Sequence, residues 1–362
     1  MNILYDPQVL TMQKYGGISR YFYEIISRLS NKEDVNISIP AIFSINYYFR
    51  EYHNPKSFFN SLPFKGKGMI NRLNFKRYLS QKKNEIIHPT YYNPYIFKRK
   101  SGIVVSTIHD LTQEMNPELF KNDKTIFQQK EQTIRQSDMI IAISESTKKD
   151  ILTYYPFVSA KKIVVIHHGN SLKKRESYTI SEALNVPKHF ILFTGSRAAY
   201  KNFTNFICAI ESILRKNKEI MLVCTGGGDF LQDEADLFHK MNINRQIIHY
   251  NASDELLSYL YSKAICFVFP SLYEGFGLPI LEAFDHQCPA VLSNTSSFPE
   301  IGGNAAVYFD PNDVNDMNRQ IETVINDEKL RRDLVEIGNI QSAKFSWDKA
   351  AEETYQVYRS ML

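Results

Sequence analysis

"ICFVFPSLYEGFGLPILEAF", residues 265–284, contains one whole unit of architecture. The apolar run "ICFVFPS" reads as a buried strand. Gly275 and Gly277 then free the backbone for a tight loop, and Pro279 suits the first turn of a helix. Ile280, Leu281, Ala283 and Phe284 supply that helix with buried sides. Two carboxylates are caught in this frame: Glu274 in the loop, and Glu282 about one turn into the helix. Two glutamates eight residues apart also suit a solvated helix face. The glycines, proline and apolar residues between them favour a site.

The same strand–loop–helix rhythm runs through the chain. "NILYD" precedes the helical "ISRYFYEIISRL", and "GIVVSTIHD", "MIIAIS" and "KIVVIHHG" alternate with further helical patterns. After residue 170 the text turns polar, "NSLKKRESYTISEALNVPKH", and reads as a linker. Alternation resumes with "FILFTGS", "IMLVCTGGG", "QIIHY", "ICFVFPS", "AVLSN" and "AAVYFD". Such alternation is the mark of βα units with parallel sheets, here occurring twice. We expect one α/β domain over residues 1–170, a second over 185–345, and a terminal helix over 346–362 anchored by Trp347 and Tyr358. Two open α/β domains in tandem create a cleft, and ligands of such sheets bind beyond the carboxyl ends of the strands.

Bulk properties agree with an enzyme-sized globular chain. At 362 residues it exceeds the size at which one core stops growing. No stretch approaches the ~18 uninterrupted apolar residues that span a bilayer, and "MNILYDPQ" lacks the basic-then-apolar order of a signal peptide. Cys208, Cys224, Cys266 and Cys288 are widely spaced with no metal-ligand pattern, which suits reduced thiols in a cytoplasmic protein. Net charge of +4 hides an asymmetry. Residues 1–175 hold 27 Lys and Arg against 14 Asp and Glu, whereas residues 176–362 hold 16 against 25. The first half therefore meets something anionic. No nucleic-acid module is recognisable, and a membrane surface or anionic lipid carrier fits at least as well.

Residues that follow strands directly carry the candidate chemistry. Gly16 and Gly17 open a helix whose amides suit an anion; the alternative is a plain glycine turn. The pair is not the G-x-G-x-x-G fingerprint of dinucleotide binding. His109, at a strand end, suits a substrate hydroxyl, or is a satisfied core histidine. Arg197 and Lys201, beside Gly195 in "GSRAAYKNF", suit a diphosphate, or form a solvated surface pair. Glu274 and Glu282 suit the carboxylate pair of a glycoside hydrolase. That chemistry needs no neighbouring cations, whereas an anionic leaving group does.

Together these residues resemble the GT-B glycosyltransferases of family 4, retaining enzymes that use nucleotide sugars. The resemblance covers nearly the whole chain. It rests on the E-x7-E block "EGFGLPILE" and on "PAVLSNTSSFPEIGGNAAVYFDP", with "GSRAAYKNF", "GGG" at 226–228, "NASDELLSYLY", "HHG" and "FSWDKAAEETYQVY" in support. It implies two Rossmann-like domains facing across a cleft, with a C-terminal helix crossing back to the first. Gly17 is similar to the loop glycine that meets the donor phosphate, and His109 to the histidine beside the donor sugar. Arg197 and Lys201 resemble the diphosphate-binding pair. Glu274 is similar to the carboxylate on donor-sugar hydroxyls and Glu282 to the one on the ribose, with Phe276, Gly277 and Leu278 as the segment between. No cofactor is implied and, with no Asp-x-Asp element, no metal. Competing classes are a sugar-nucleotide epimerase of similar fold, a hydrolase, and a silent glycan-binding relative.

"QKYGGISRYFYEI" and "GSRAAYKNF" are most similar to members that build bacterial surface polysaccharide, such as lipopolysaccharide or capsule. That likeness implies GDP-mannose as donor, with UDP-N-acetylglucosamine or another UDP-hexose next. The acceptor it implies is a glycan or lipid-linked glycan at the cytoplasmic face of the membrane. The basic stretch 65–83 and "KRK" at 98–100 read as membrane-docking elements or as solvated basic segments. Aromatic stretches at 44–60 and 90–97 suit acceptor sugars or, more simply, core packing.

Overall fold

The computed structural model describes residues 1–49, 66–81, 85–99, 102–120, 124–174, 178 and 185–362. Residues 175–177 and 179–184 of the polar linker, the aromatic stretch at 50–60, and Lys65, Lys82, Lys83 and Lys100 of the basic stretches lie outside this set. The chain divides into two compact units, residues 1–169 with 346–362, and residues 170–345.

The first unit holds a six-stranded sheet built from β1 (Asn2–Tyr5), β2 (Asn36–Ser38), β3 (Ile86–His88), β4 (Ile103–Ile108), β5 (Met139–Ala142) and β6 (Ile163–Val165). Its order is β2-β1-β3-β4-β5-β6, with every pair parallel. A parallel sheet is covered on both faces, so its central strands need continuous apolar runs. Val104, Val105, Ile140 and Ile141 meet that need and are buried. Strands β2 and β3, "NIS" and "IIH", carry no such run. Three residues in polar text give no period to read, so these two escape a sequence-based reading.

The terminal helix Trp347–Ser360 belongs to this first unit and packs on helix Gly17–Leu29. Trp347 stacks on His168, with ring centroids 5.1 Å apart. A Cβ on Gly169 would fall 2.2 Å from the Trp347 backbone nitrogen, so only glycine admits this crossing. Deeper in, Tyr358 Oη lies 2.9 Å from Tyr5 Oη and 2.5 Å from His88 Nδ1. His88 Nε2 reaches Thr107 Oγ1 at 2.9 Å, and Thr107 in turn meets Tyr21 Oη at 2.9 Å. One buried polar chain thus ties β1, β3, β4 and the helix 17–29 to the last helix of the protein.

The second unit repeats the plan with β7 (His189–Thr194), β8 (Ile220–Thr225), β9 (Ile247–Tyr250), β10 (Cys266–Phe269), β11 (Ala290–Ser293) and β12 (Ala306–Phe309). The order is β12-β11-β10-β7-β8-β9, again all parallel. Helix Phe203–Lys216 buries Phe206, Ile207, Ile210, Ile213 and Leu214, the stripe of a one-sided amphipathic helix. All four cysteines are free thiols, three of them buried. Among the described residues no helix is long and apolar enough to cross a membrane.

Each sheet reverses direction once. The chain leaves β1 for β2 on one side, and β3 pairs on the other. It leaves β7 for β8, and β10 pairs on the opposite side of β7. Loops departing from such a strand pair diverge, and their diverging ends leave room for a ligand.

The polar chain in the first unit is open to a direct check. Tyr358→Phe leaves Tyr5 Oη and His88 Nδ1 short of a partner in a dry setting, which should destabilise the first unit by roughly 1–3 kcal/mol. Denaturant unfolding should show that loss while the transition of the second unit stays in place.

Candidate active site

The loops after β7 and β10 meet at the reversal point of the second sheet. Leu272 N–H donates to the Tyr200 carbonyl at 2.8 Å, which sews the two loops together. Beside that seam Lys201 Nζ lies 2.5 Å from Glu274 Oε1. Both side chains are mostly covered, at 14% and 16% exposure, yet each keeps an edge to solvent. A desolvated cation and carboxylate in contact form a strong local dipole that a polar ligand can enter.

The Glu274 loop is held from behind by a third loop. Glu274 N–H donates to Ser296 Oγ at 3.1 Å. Ser297 Oγ donates to the carbonyls of Glu274 and Phe276 at 3.0 and 2.8 Å. Gly277 sits at φ +99° as the residue before helix Leu278–Asp285, with Pro279 in its first turn. A Cβ there would meet Ile280 Cδ1 at 2.9 Å in a backbone conformation that side chains rarely adopt. Gly275 and Phe276 are buried, and the Phe276 ring packs edge-on against Phe345 at 6.0 Å. Leu278 is half-buried. Glu282, one turn on, is 7% exposed and accepts from Tyr261 Oη at 3.2 Å.

Arg197 and Lys201, grouped together by sequence, part company here. The Arg197 guanidinium donates to Glu234 Oε1 (2.8 Å), Gly226 O (3.0 Å), Gly228 O (3.0 Å) and Asp229 O (2.7 Å). Its Cζ lies 4.9 Å from the centroid of the Phe230 ring. Gly226, Gly227 and Gly228 all hold positive φ, and the carbonyls of Gly226 and Gly228 face this cation. Arg197 therefore organises the loop after β8, and Glu234 completes the clamp by accepting from Leu231 N–H at 2.8 Å. Gly195 keeps an open side, since a Cβ there would meet nothing within 4 Å.

In the first unit, Gly17 begins helix Gly17–Leu29, which has no side-chain cap and no acidic residue in its first turn. A Cβ on Gly17 would meet nothing within 4 Å, whereas one on Gly16 would collide with the Gln13 side chain. His109 follows β4 and is 6% exposed. Its backbone N–H donates to Tyr92 Oη at 3.1 Å, its ring meets Tyr21 edge-on at 5.1 Å, and its Nε2 is buried with no hydrogen-bond partner among the described residues. Beneath it, Lys130 is wholly buried and donates to Asp110 O at 3.0 Å and to Glu114 Oε2 at 2.8 Å. Tyr155 Oη completes the set on Glu114 Oε1 at 2.7 Å.

Comparison with known proteins places this arrangement. Residues 15–174 match the model described as Glycosyltransferase Family 4, and residues 174–341 match that described as Glycosyl transferases group 1. The chain belongs to glycosyltransferase family 4. It is 28% identical to O-antigen chain mannosyltransferase B of Escherichia coli, over 76% of this chain and 74% of that protein. It is also 28% identical to the serotype-specific mannosyltransferase WbdA of Escherichia coli, over 71% of this chain but 33% of WbdA. Among solved structures, sucrose-phosphate synthase from Thermosynechococcus elongatus superposes with a TM-score of 0.75 at 19% identity, covering 99% of this chain and 98% of that one. The fold of this family 4 transferase is accordingly GT-B.

Several residues of the transferase escape motif reading. Ser296 and Ser297 lie in "SNTSSFPE", where a run of Ser, Thr and Asn after a strand signals side chains that bond backbone. Glu234 and Lys130 sit on ordinary helices, and nothing local distinguishes them.

Burial holds the His109 imidazole at about 4, with Asp110 pulling up and Lys130 pushing down, and holds His88 at about 3. Unfolded, both titrate near 6.5. Between about pH 6.5 and 4 the unfolded chain thus binds protons that the native transferase does not, so stability is full above 6.5 and falls on acidification. Calorimetry at pH 5 in buffers of differing ionisation enthalpy should show proton uptake on unfolding. His109→Gln should reduce that uptake by about one proton.

Proposed function

We propose that the protein transfers mannose from GDP-mannose to a growing glycan, with retention of anomeric configuration and without a metal ion, in surface-polysaccharide assembly. The observation that carries this reading is the Lys201–Glu274 pair at the reversal point of the second sheet. The O-antigen and serotype-specific mannosyltransferase relatives support mannose as the sugar.

The proposed roles follow from charge. Cleavage of the bond between the anomeric carbon and the β-phosphate oxygen leaves negative charge on the departing nucleotide. Lys201, pre-oriented and partly dehydrated, stabilises that charge as it develops, helped by backbone amides near Gly195. Glu274 takes donor-sugar hydroxyls, and Glu282, oriented by Tyr261, takes the ribose hydroxyls. Gly277 keeps the loop between them in register, and Phe276 anchors it in the core. Arg197 acts through the 226–229 loop that it clamps. In the first unit, the helix amides at Gly16–Gly17 suit an anionic oxygen, and neutral His109 suits a sugar hydroxyl. The acceptor oxygen attacks on the face that the nucleotide leaves, and its proton passes to a phosphate oxygen.

GDP should raise the melting temperature more than UDP or dTDP, because a ligand at 100 times its dissociation constant adds ~2.7 kcal/mol. A shift with UDP alone would replace mannose by another hexose. Lys201→Ala should lower turnover by about two orders of magnitude or more, whereas Glu282→Gln should chiefly weaken donor binding. Near-normal kinetics in both folded variants would remove the site from these residues. The product anomer, read by NMR, tests retention, and unchanged turnover in EDTA tests metal independence.

We further propose a cytoplasmic protein that docks reversibly on the inner membrane face through its basic first half, which carries 27 Lys and Arg against 14 Asp and Glu. Co-sedimentation with anionic vesicles at low salt, lost at ~1 M salt where the Debye length falls to about 3 Å, is the expected outcome. Equal partitioning to neutral vesicles would argue for a soluble acceptor.

A further inference from the structure

A cavity of about 430 Å³ opens within the first unit at the carboxyl ends of β1 and β3, the reversal point of that sheet. Gln8, Met12, Met69, Arg72, Asn93 and Tyr95 are among its walls. Its chemistry is uneven in an informative way. Arg72 lies 5.0 Å over the Tyr95 ring, and its Nε is buried with no hydrogen-bond partner among the described residues. Among the described residues no carboxylate pairs with it. Asp6, at the end of β1, is fully buried and already satisfied by neutral donors. Its oxygens accept from Thr90 N–H (2.6 Å), Thr90 Oγ1 (2.8 Å), Tyr95 Oη (2.7 Å) and Gln8 Nε2 (2.5 Å). Tyr95 thus gives its hydroxyl to Asp6 and its ring face to Arg72, which leaves the guanidinium fork for something else.

The rim has the opposite character. Met12 and Met69 are 49% and 65% exposed. Helix Lys67–Gln81 carries Lys67, Arg72, Lys76 and Arg77 and no acidic residue. An unneutralised arginine with a buried orphan donor, below a collar of exposed apolar side chains, suits an oxyanion joined to a hydrocarbon chain. Arginine forks a phosphoryl group bidentately, and methionine adapts to irregular apolar shapes.

We propose that this cavity binds a phosphoryl group carried on an apolar chain, with Arg72 on the phosphate oxygens and Met12 and Met69 against the first carbons of the chain. Resting on the transferase reading above, the assignment makes the acceptor an anionic amphiphile.

Three probes separate the contributions in titration calorimetry, each used below its micelle concentration. Decyl phosphate has head and tail, inorganic phosphate the head alone, and decyl glucoside the tail with a neutral head. Decyl phosphate should bind at least tenfold more tightly than either of the others. Arg72→Gln should weaken decyl phosphate at least tenfold and leave decyl glucoside unchanged. Met69→Ser should weaken decyl phosphate and leave inorganic phosphate unchanged. Equal binding of decyl phosphate and decyl glucoside, or an unaffected Arg72→Gln, would overturn the anion site. Inorganic phosphate binding as tightly as decyl phosphate would overturn the amphiphile and leave a site for free anions. GDP binding, measured on the same samples, reports the second unit independently. Its retention alongside a failed cavity test leaves the transferase reading intact, and failure of GDP, UDP and dTDP alike to bind wild-type protein removes that reading instead.

Discussion

A parallel strand cannot turn straight back on its neighbour. The chain must leave at the carboxyl end, cross over the sheet and return to the other end before it can pair again. Both sheets of this protein obey that constraint, and each reverses its direction of growth once, between β1 and β3 and between β7 and β10. At those gaps the departing loops diverge, and the space they leave has no strand or helix of its own to fill it. The Lys201–Glu274 pair borders one such gap, and the Arg72 cavity borders the other.

Charge is used in two ways around these loops. Lys130 and Glu114 have no exposed side-chain surface, and Arg197 is 4% exposed against Glu234 at 12%. A buried ion pair adds little net stability over an apolar replacement, but losing one partner costs about 3–5 kcal/mol because the other charge is stranded. Such pairs are therefore effective at dictating geometry. Lys130 pins the segment after β4 through Asp110 O, and Arg197 pins the glycine loop after β8. Lys201 and Glu274 differ in keeping an edge to solvent. A pair that is dry enough to be strong and open enough to be entered can exchange its partner for a ligand.

Much of this architecture is legible in the amino-acid sequence. The loop glycines, the proline and the apolar positions around Glu274 and Glu282 define a strand, a tight turn and a helix start, and the fold has all three. The free thiols and the buried anchors Trp347 and Tyr358 are equally legible. Strands β2 and β3 are not, because three residues hold no periodicity and pair only when β1 lies beside them. Arg197 reads in sequence as a twin of Lys201. It differs because Glu234 and the carbonyls of residues 226–229 reach it, and those partners lie 29 to 37 positions along the chain.

By itself, then, the sequence determined the class of fold, its duplication, and the local shape of the carboxylate-bearing loop. Hydrophobic period and backbone preference act over a few residues, and each stretch carries its own. Tertiary structure alone decided which charged and polar groups meet. Lys201 and Glu274 are 73 positions apart, Ser297 and Phe276 are 21, and Tyr358 and His88 are 270. These contacts require strand ends to be brought level by the register of two parallel sheets. That register comes from the packing of whole units, which no short stretch of the chain contains.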